Sequence, residues 1–247
     1  LLAECYAAGQ ADTEHLAEIP GLVFREPVES AARPIRVNTP APLPDLSALP
    51  FPYGELAEFE NRIIYYESSR GCPFSCSYCL SSIEKSVRFR DIEKVCRELQ
   101  FFLDRRVPQV KFVDRTFNCR KSHAMAVWSY ILEHDNGITN FHFEIEAELL
   151  DEEELALLER MRPGLVQLEI GVQSANRETL KAVRRSTDLE RLRRVVERIR
   201  DGKNIHQHLD LIAGLPFEDY ESFGHSFDQV FALKPEQLQL GFLKVLK

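Results

Sequence analysis

The chain has 247 residues, 44% of them hydrophobic and 28% charged, with a formal net charge of −8. That size suits one large domain, or one domain with a small appendage, and the acidic balance argues against a nucleic-acid partner, because neutralising phosphates needs a basic surface. No uncharged apolar run reaches the ~18 residues of a membrane span, and no basic region followed by an apolar stretch opens the chain, so a soluble, cytoplasmic protein without a membrane partner is the expectation.

A helical pattern (Leu1, Leu2, Cys5, Tyr6) is already under way at the first residue and ends near Gly9. A short apolar patch follows at Leu22-Val23-Phe24. Six prolines between Pro34 and Pro52 then predict an extended stretch, since proline removes backbone donors and restricts its predecessor. Residues 1–30 are thus expected to be the remnant of an upstream domain, 31–60 a proline-rich linker, and 61–247 the main domain. A start inside a helix and an end inside a strand read as a fragment cut at both ends.

From residue 62 short apolar runs alternate with amphipathic helices. The predicted strands are Arg62–Glu67, Gln109–Asp114, Asn140–Glu146, Val166–Gly171, His206–Ile212 and Gln237–Val245. Asp91 opens a helix whose Ile92, Val95, Cys96, Leu99, Phe102 and Leu103 share one face. Asp151 and Glu154 form a capping box before Leu155, Leu158 and Met161. Further helices fit Ser122–His134, Arg177–Val183, Leu189–Arg200 and Tyr220–Leu233. Arginines between Arg184 and Arg200 alternate with Leu192, Val195, Val196 and Ile199, which marks a solvated helix face more readily than a phosphate-binding strip. Six β/α repeats imply a parallel sheet with right-handed crossovers. A doubly wound sheet and an incomplete barrel both fit, and in either one ligands gather at the carboxyl ends of the strands.

The first of these strands runs into Arg70-Gly71-Cys72-Pro73-Phe74-Ser75-Cys76-Ser77-Tyr78-Cys79. Cys5, Cys96 and Cys119 are scattered elsewhere. Three thiols within eight residues point to a metal rather than to disulfides in a chain of this kind. A structural zinc site needs four closed ligands, usually as two pairs, and His123, His134 and His142 belong to other elements. A ferredoxin-type carrier needs four cysteines, and Cys96 sits on an apolar helix face. The remaining reading is an iron–sulfur cubane held by Cys72, Cys76 and Cys79 with one iron left open for chemistry.

The C-x3-C-x2-C spacing, with Tyr78 before the third cysteine and β/α repeats downstream, resembles the radical S-adenosylmethionine (SAM) superfamily. The resemblance covers residues 60 to 247. It implies an α/β fold, a partial (β/α)6 barrel of the TIM type, and a [4Fe–4S] cluster whose open iron SAM chelates. Reductive cleavage of SAM to a 5′-deoxyadenosyl radical would follow, with electrons from a reductant such as flavodoxin or ferredoxin. The strand ends Glu144-Ile145-Glu146-Ala147, Glu169-Ile170-Gly171-Val172-Gln173-Ser174 and Asp210-Leu211-Ile212-Ala213-Gly214-Leu215-Pro216, with Arg184-Arg185, are similar to the branch holding oxygen-independent coproporphyrinogen dehydrogenases and methylthiotransferases. The resemblance makes Tyr78, Glu146, Gln173, Arg185, Asp210 and Ile212 SAM contacts. After the second strand many relatives carry Gly-Gly-Glu for SAM's amino group; this chain has Val113-Asp114-Arg115-Thr116-Phe117-Asn118, where Asp114 or Thr116 would take that role. Cys119 follows at once and is the one candidate for a catalytic side chain.

The N-terminal remnant and a linker ending Leu49-Pro50-Phe51-Pro52-Tyr53 resemble the junction in cobalamin-binding radical SAM proteins, where a Rossmann-like domain precedes the barrel. That likeness implies cobalamin in the full-length protein, and methyl transfer or rearrangement on a small-molecule or peptide substrate. A cobalamin-free radical SAM enzyme and a non-catalytic iron–sulfur or zinc module are the alternatives.

Overall fold

The computed structural model describes residues 2–26, 34–54, 59, 62–83 and 86–244. Leu1 of the first helical pattern, the junctions expected at residues 30/31 and 60/61, and Val245 of the last strand lie outside them. The chain divides into two compact units, residues 1–49 and 50–247.

In the first unit, helices α1 (Leu2–Ala7) and α2 (Thr13–Ala17) precede strands β1 (Val23–Arg25) and β2 (Ile35–Val37). Asp12 caps α2 by accepting from the His15 backbone N–H at 3.0 Å, which satisfies one otherwise orphaned helix donor. β1 and β2 pair antiparallel, Val23 opposite Val37, so the proline-marked stretch contributes a strand of its own.

The second unit carries β3 (Ile64–Tyr66), β4 (Ser69–Arg70), β5 (Arg88–Phe89), α3 (Ile92–Asp104), β6 (Gln109–Phe112), α4 (Lys121–Glu133), β7 (Asn140–Ile145), α5 (Glu152–Glu159), β8 (Val166–Gln173), α6 (Arg177–Ala182), α7 (Leu189–Gly202), β9 (His206–Ala213), α8 (Tyr220–Phe231) and β10 (Gln237–Phe242). Six strands form one parallel sheet in the order β10-β9-β8-β7-β6-β3. Spatial order follows chain order without a switch point, which selects the partial barrel over the doubly wound sheet. The elements match the sequence expectations to within a few residues. No helix among the described residues is long and apolar enough to cross a membrane.

Aspartate or asparagine starts most of these helices. Asp91, Asp188 and Asp219 accept from backbone N–H groups of α3, α7 and α8, and Asn176 does so for α6. Asp151 and Glu154 form the expected capping box. Phe112, Phe117, Trp128, Phe141 and Phe143 are buried together between the sheet and its helices, each worth about 1.5–3 kcal/mol of transfer free energy. Phe51 and Tyr53 extend this core by packing on Phe102 of α3.

The sheet's two faces differ. Along β8 the apolar Val166, Leu168, Ile170 and Val172 are buried, while Gln167, Glu169, Gly171 and Gln173 alternate with them on the half-open side. Parallel strands usually read as apolar runs because helices cover both faces. Here one face is apolar and packed, and the other is polar and turned to the space inside the partial barrel.

Candidate functional site

The short ribbon β4–β5 closes the base of the three-cysteine loop, with Ser69 opposite Phe89 and Arg70 opposite Arg88. Gly71 leaves this ribbon at a φ of +106°, and a Cβ there would stand 2.3 Å from the Ser86 carbonyl oxygen. Both constraints demand glycine. Gly71→Ala is therefore expected to lower iron bound per chain after reconstitution and to destabilise the fold by about 1–3 kcal/mol; iron analysis and thermal unfolding check this. At the far side, the Ser77 N–H donates to the Val183 carbonyl at 2.9 Å, which ties the loop to the end of α6.

Asp114 secures the ribbon from beneath. It is buried and accepts from the Ser68 N–H at 3.0 Å, the Ser68 hydroxyl at 2.7 Å and the Ser69 hydroxyl at 2.6 Å. Burial pushes its carboxyl up to about 6 against the pull of these donors. The Nε2 of His123, held down to about 4 by burial, lies 2.9 Å from the Ser68 hydroxyl. Asp114 thus anchors the strand that feeds the loop.

Cys72, Cys76 and Cys79 line one cavity of about 180 Å³ at the carboxyl ends of the strands, together with Tyr78, Arg115, Thr116, Glu146, Gln173, Arg185 and Asp210. The structure therefore brings together the three cysteines and six of the eight residues expected to contact SAM. Asp114, Ile212 and Cys119 are not in that lining. Ile212 lies half-buried on β9, two residues beyond Asp210, and Cys119 ends the turn Phe117–Cys119 with its thiol pushed up to about 11, first by burial and then by Cys72. All six cysteines are free thiols.

Arg185 is the hub of the cavity wall. Its Nη2 donates to a Glu146 carboxylate oxygen at 2.8 Å and to the Gly171 carbonyl, and its Nη1 lies 4.0 Å from the Cys76 sulfur. The Arg185 and Glu146 side chains are only 11% and 10% exposed. Burial pushes the Glu146 carboxyl up to about 7, opposed by Arg185. Asn118 fixes the same segment: its amide donates to the Glu146 carbonyl and accepts from the Glu146 N–H, each at 2.9 Å. Gln173 adopts a φ of +70° beside an irregularity in the β8–β9 pairing. A Cβ on Gly171 would meet its amide nitrogen at 2.2 Å, so glycine leaves room for the Gln173 side chain.

The donor set fits a cluster that keeps one iron open. Three thiols reach the cavity with no fourth cysteine in its lining. The buried Glu146 Oε1 and Arg185 Nε have no hydrogen-bond partner, and Asp210 Oδ1 faces only His208 Nε2 at 3.1 Å, so polar groups on the cavity wall remain available to a ligand.

Sequence reasoning passed over Lys111, Arg115, Glu144, Glu169 and His208. Arg115, Glu144 and Glu169 line the cavity, while Lys111 and His208 stand beside Glu169 and Asp210. Their signal is the period-two alternation in Asn140–Ile145, Val166–Gln173 and His206–Ala213, where polar residues fall at every second position.

Comparison with known proteins gives four results. Over 239 residues, or 89% of this chain, the sequence is 26% identical to the cobalamin-dependent radical SAM methyltransferase TokK of Streptomyces tokunonensis, and the match spans 34% of that enzyme. Over 110 residues, 44% of this chain, it is 34% identical to the oxygen-independent coproporphyrinogen III oxidase of Pseudomonas aeruginosa, covering 23% of it. The chain thus spans about a third or less of these relatives. The fold matches the radical SAM methyltransferase TsrM of Kitasatospora setae, solved with cobalamin and a [4Fe–4S] cluster bound, at a TM-score of 0.80 and 19% identity, over 99% of this chain and 49% of that one. The Radical SAM superfamily profile matches residues 66–230, more than half of the chain, and on that match the chain belongs to the radical SAM superfamily.

Proposed function

We propose that Cys72, Cys76 and Cys79 hold a [4Fe–4S] cluster, that SAM binds beside it in the cavity, and that the full-length protein uses this pair for cobalamin-dependent methyl transfer or rearrangement. The observation that carries the reading is the convergence of three cysteines, the Arg185–Glu146 pair and Asp210 on one cavity at the strand ends. The cluster, when bound, supplies an open iron for SAM's amino and carboxylate groups and the electron that cleaves a carbon–sulfur bond to give the 5′-deoxyadenosyl radical.

The protein's residues bind and orient. Arg185 offers a planar fork of donors suited to a carboxylate and holds Glu146 in place. Glu146 and Asp210 present carboxylates to ribose hydroxyls or an ammonium. Gln173 and Thr116 offer further polar contacts, Tyr78 packs beside the sulfurs, and Ile212 gives apolar surface above Asp210. Asp114 acts as a positioning residue through Ser68 and Ser69. Cobalamin rests on the 26% identity to TokK and the N-terminal unit; the 34% identity to the coproporphyrinogen oxidase favours, as a second reading, a radical SAM enzyme without it. Incubating the reduced, cluster-loaded protein with SAM is expected to yield 5′-deoxyadenosine and methionine, and absence of both from protein of full iron content contradicts the proposal.

The raised Glu146 carboxyl gives this reading a pH signature. Below about 7 the side chain is mostly protonated, so it loses the negative charge that attracts a ligand's ammonium and strengthens its hydrogen bonds from hydroxyls. SAM affinity is therefore expected to rise from pH 6 to pH 8 and then level off, by up to about tenfold per pH unit on the acid side. Calorimetric titration of cluster-loaded protein measures this, and Glu146→Gln is expected to flatten the profile.

A further inference from the structure

The polar face of the sheet holds a second constellation of ligand-type side chains besides the cysteines. Parallel pairing sets Lys111 of β6 beside His142 of β7, and Glu169 of β8 between Glu144 of β7 and His208 of β9. Residues in register on adjacent strands project to the same side of a sheet, so five strongly polar side chains share one wall. One ligand atom each from His142, Glu169 and His208 falls within 4.8 Å of the others. His142 and His208 are buried, and they sit two residues toward the amino ends of their strands from Glu144 and Asp210, which line the cavity.

The contacts within this group are close without being aligned as hydrogen bonds. His142 Nε2 stands 2.9 Å from Glu169 Oε2, and His208 Nε2 stands 3.1 Å from Asp210 Oδ1. Beyond these two ion pairs, His142 Nε2, His208 Nε2 and Asp210 Oδ1 make no further hydrogen bond. Two buried imidazole nitrogens held beside carboxylates by ion pairs rather than aligned hydrogen bonds are donors that a shared cation can engage. His142 Nε2 and Glu169 Oε2, 2.9 Å apart, suit one edge of a coordination sphere with bonds of about 2.1 Å.

The electrostatics agree with a cation at this place. Glu169 Oε2 stands 2.9 Å from His142 Nε2 and 2.8 Å from the Lys111 ammonium, so this oxygen already faces positive charge. Lys111 Nζ lies 2.8 Å from Glu169 and 3.9 Å from Glu144, which makes its ammonium the cation that the carboxylates attract here. A metal ion at Glu169 would compete with it, leaving Lys111 to Glu144.

We propose that His142, Glu169 and His208 bind a divalent transition-metal ion, at a site distinct from the three-cysteine loop and opening on the same cavity through Glu169. Two imidazoles and one carboxylate suit Zn²⁺, Fe²⁺ or Mn²⁺, and not the soft ions that thiolates select. Three protein ligands leave coordination positions free, as in sites that bind a substrate atom. An oxygen donor, such as a substrate carboxylate or carbonyl, is the chemical class that fits.

Manganese is the probe of choice because it does not favour cysteine. The chain is loaded with its iron–sulfur cluster anaerobically, titrated with Mn²⁺, and the free ion is counted by room-temperature EPR. One ion per chain is expected. His142→Gln and His208→Gln are each expected to weaken binding about tenfold or more, and Lys111→Met to tighten it about tenfold by removing the competing ammonium. Iron content and circular dichroism report whether each variant has folded, and a gain of affinity in Lys111→Met cannot arise from misfolding. No Mn²⁺ bound by either the native chain or Lys111→Met overturns the proposal. So does equal binding by the native chain and both glutamine variants, or a Lys111→Met variant that binds no tighter. Because the readout needs no SAM, its failure leaves the proposed SAM chemistry standing, and the failure of SAM cleavage leaves this site standing.

Discussion

Cys76→Ala is expected to remove the iron–sulfur cluster outright, taking iron from about four per chain to near zero and abolishing SAM cleavage. Three cysteines line the cavity, and a cubane that already leaves one iron to the ligand cannot spare a second thiolate. Cys76 is also the buried thiol on which Arg185 and Tyr78 converge, so no neighbouring sulfur can move into its place. Cys119→Ala is the control. Cys119 is outside the cavity lining, and burial keeps its thiol protonated far above neutral pH, so the variant is expected to keep its iron. Iron and sulfide analysis after anaerobic reconstitution distinguishes the two, and retention of four irons by Cys76→Ala would place the cluster elsewhere.

Arg185→Ala carries the second large effect, and it separates stability from binding. Removing one member of a buried ion pair leaves the other without its partner, at a cost of about 3–5 kcal/mol. The abandoned group is Glu146, already pushed up to about 7 by burial; without the guanidinium it titrates higher still and stays neutral at pH 7. Urea unfolding is expected to show the loss, and SAM affinity is expected to fall with it. Arg185→Ala combined with Glu146→Gln is expected to recover much of the stability while SAM binding stays lost. Arg185→Lys is a poor substitute, because one ammonium cannot reproduce a fork that spans Glu146, Gly171 and Cys76. Recovery of SAM binding in the double variant would show that Arg185 is structural alone.

The repeating helices and strands were legible because the strands are apolar runs and the helices have apolar faces, most of them with an acidic or amide cap, and the cysteine loop because its spacing is local. What escaped depends on neighbours across the sheet. β4 and β5 have two residues each, too few to show a period, and they pair only because the loop between them closes. Asp114 reads from sequence as a ligand contact at a strand end, yet Ser68 and Ser69 occupy its oxygens. His142 reads as an isolated histidine, since its nearest relevant partners, Glu169 and His208, lie on two other strands and come near only through parallel register. The polar positions in β7, β8 and β9 were in plain view, but parallel strands are expected to be apolar on both faces, and that expectation hid the wall they form.

Low-temperature EPR of the reduced, reconstituted chain, recorded with and without SAM, tests the central claim most directly. A [4Fe–4S]⁺ signal whose g values shift when SAM is added is the predicted result, because it requires an iron open to the ligand. A cluster signal indifferent to SAM, or bound zinc with no cluster, would contradict the account and leave a structural metal module.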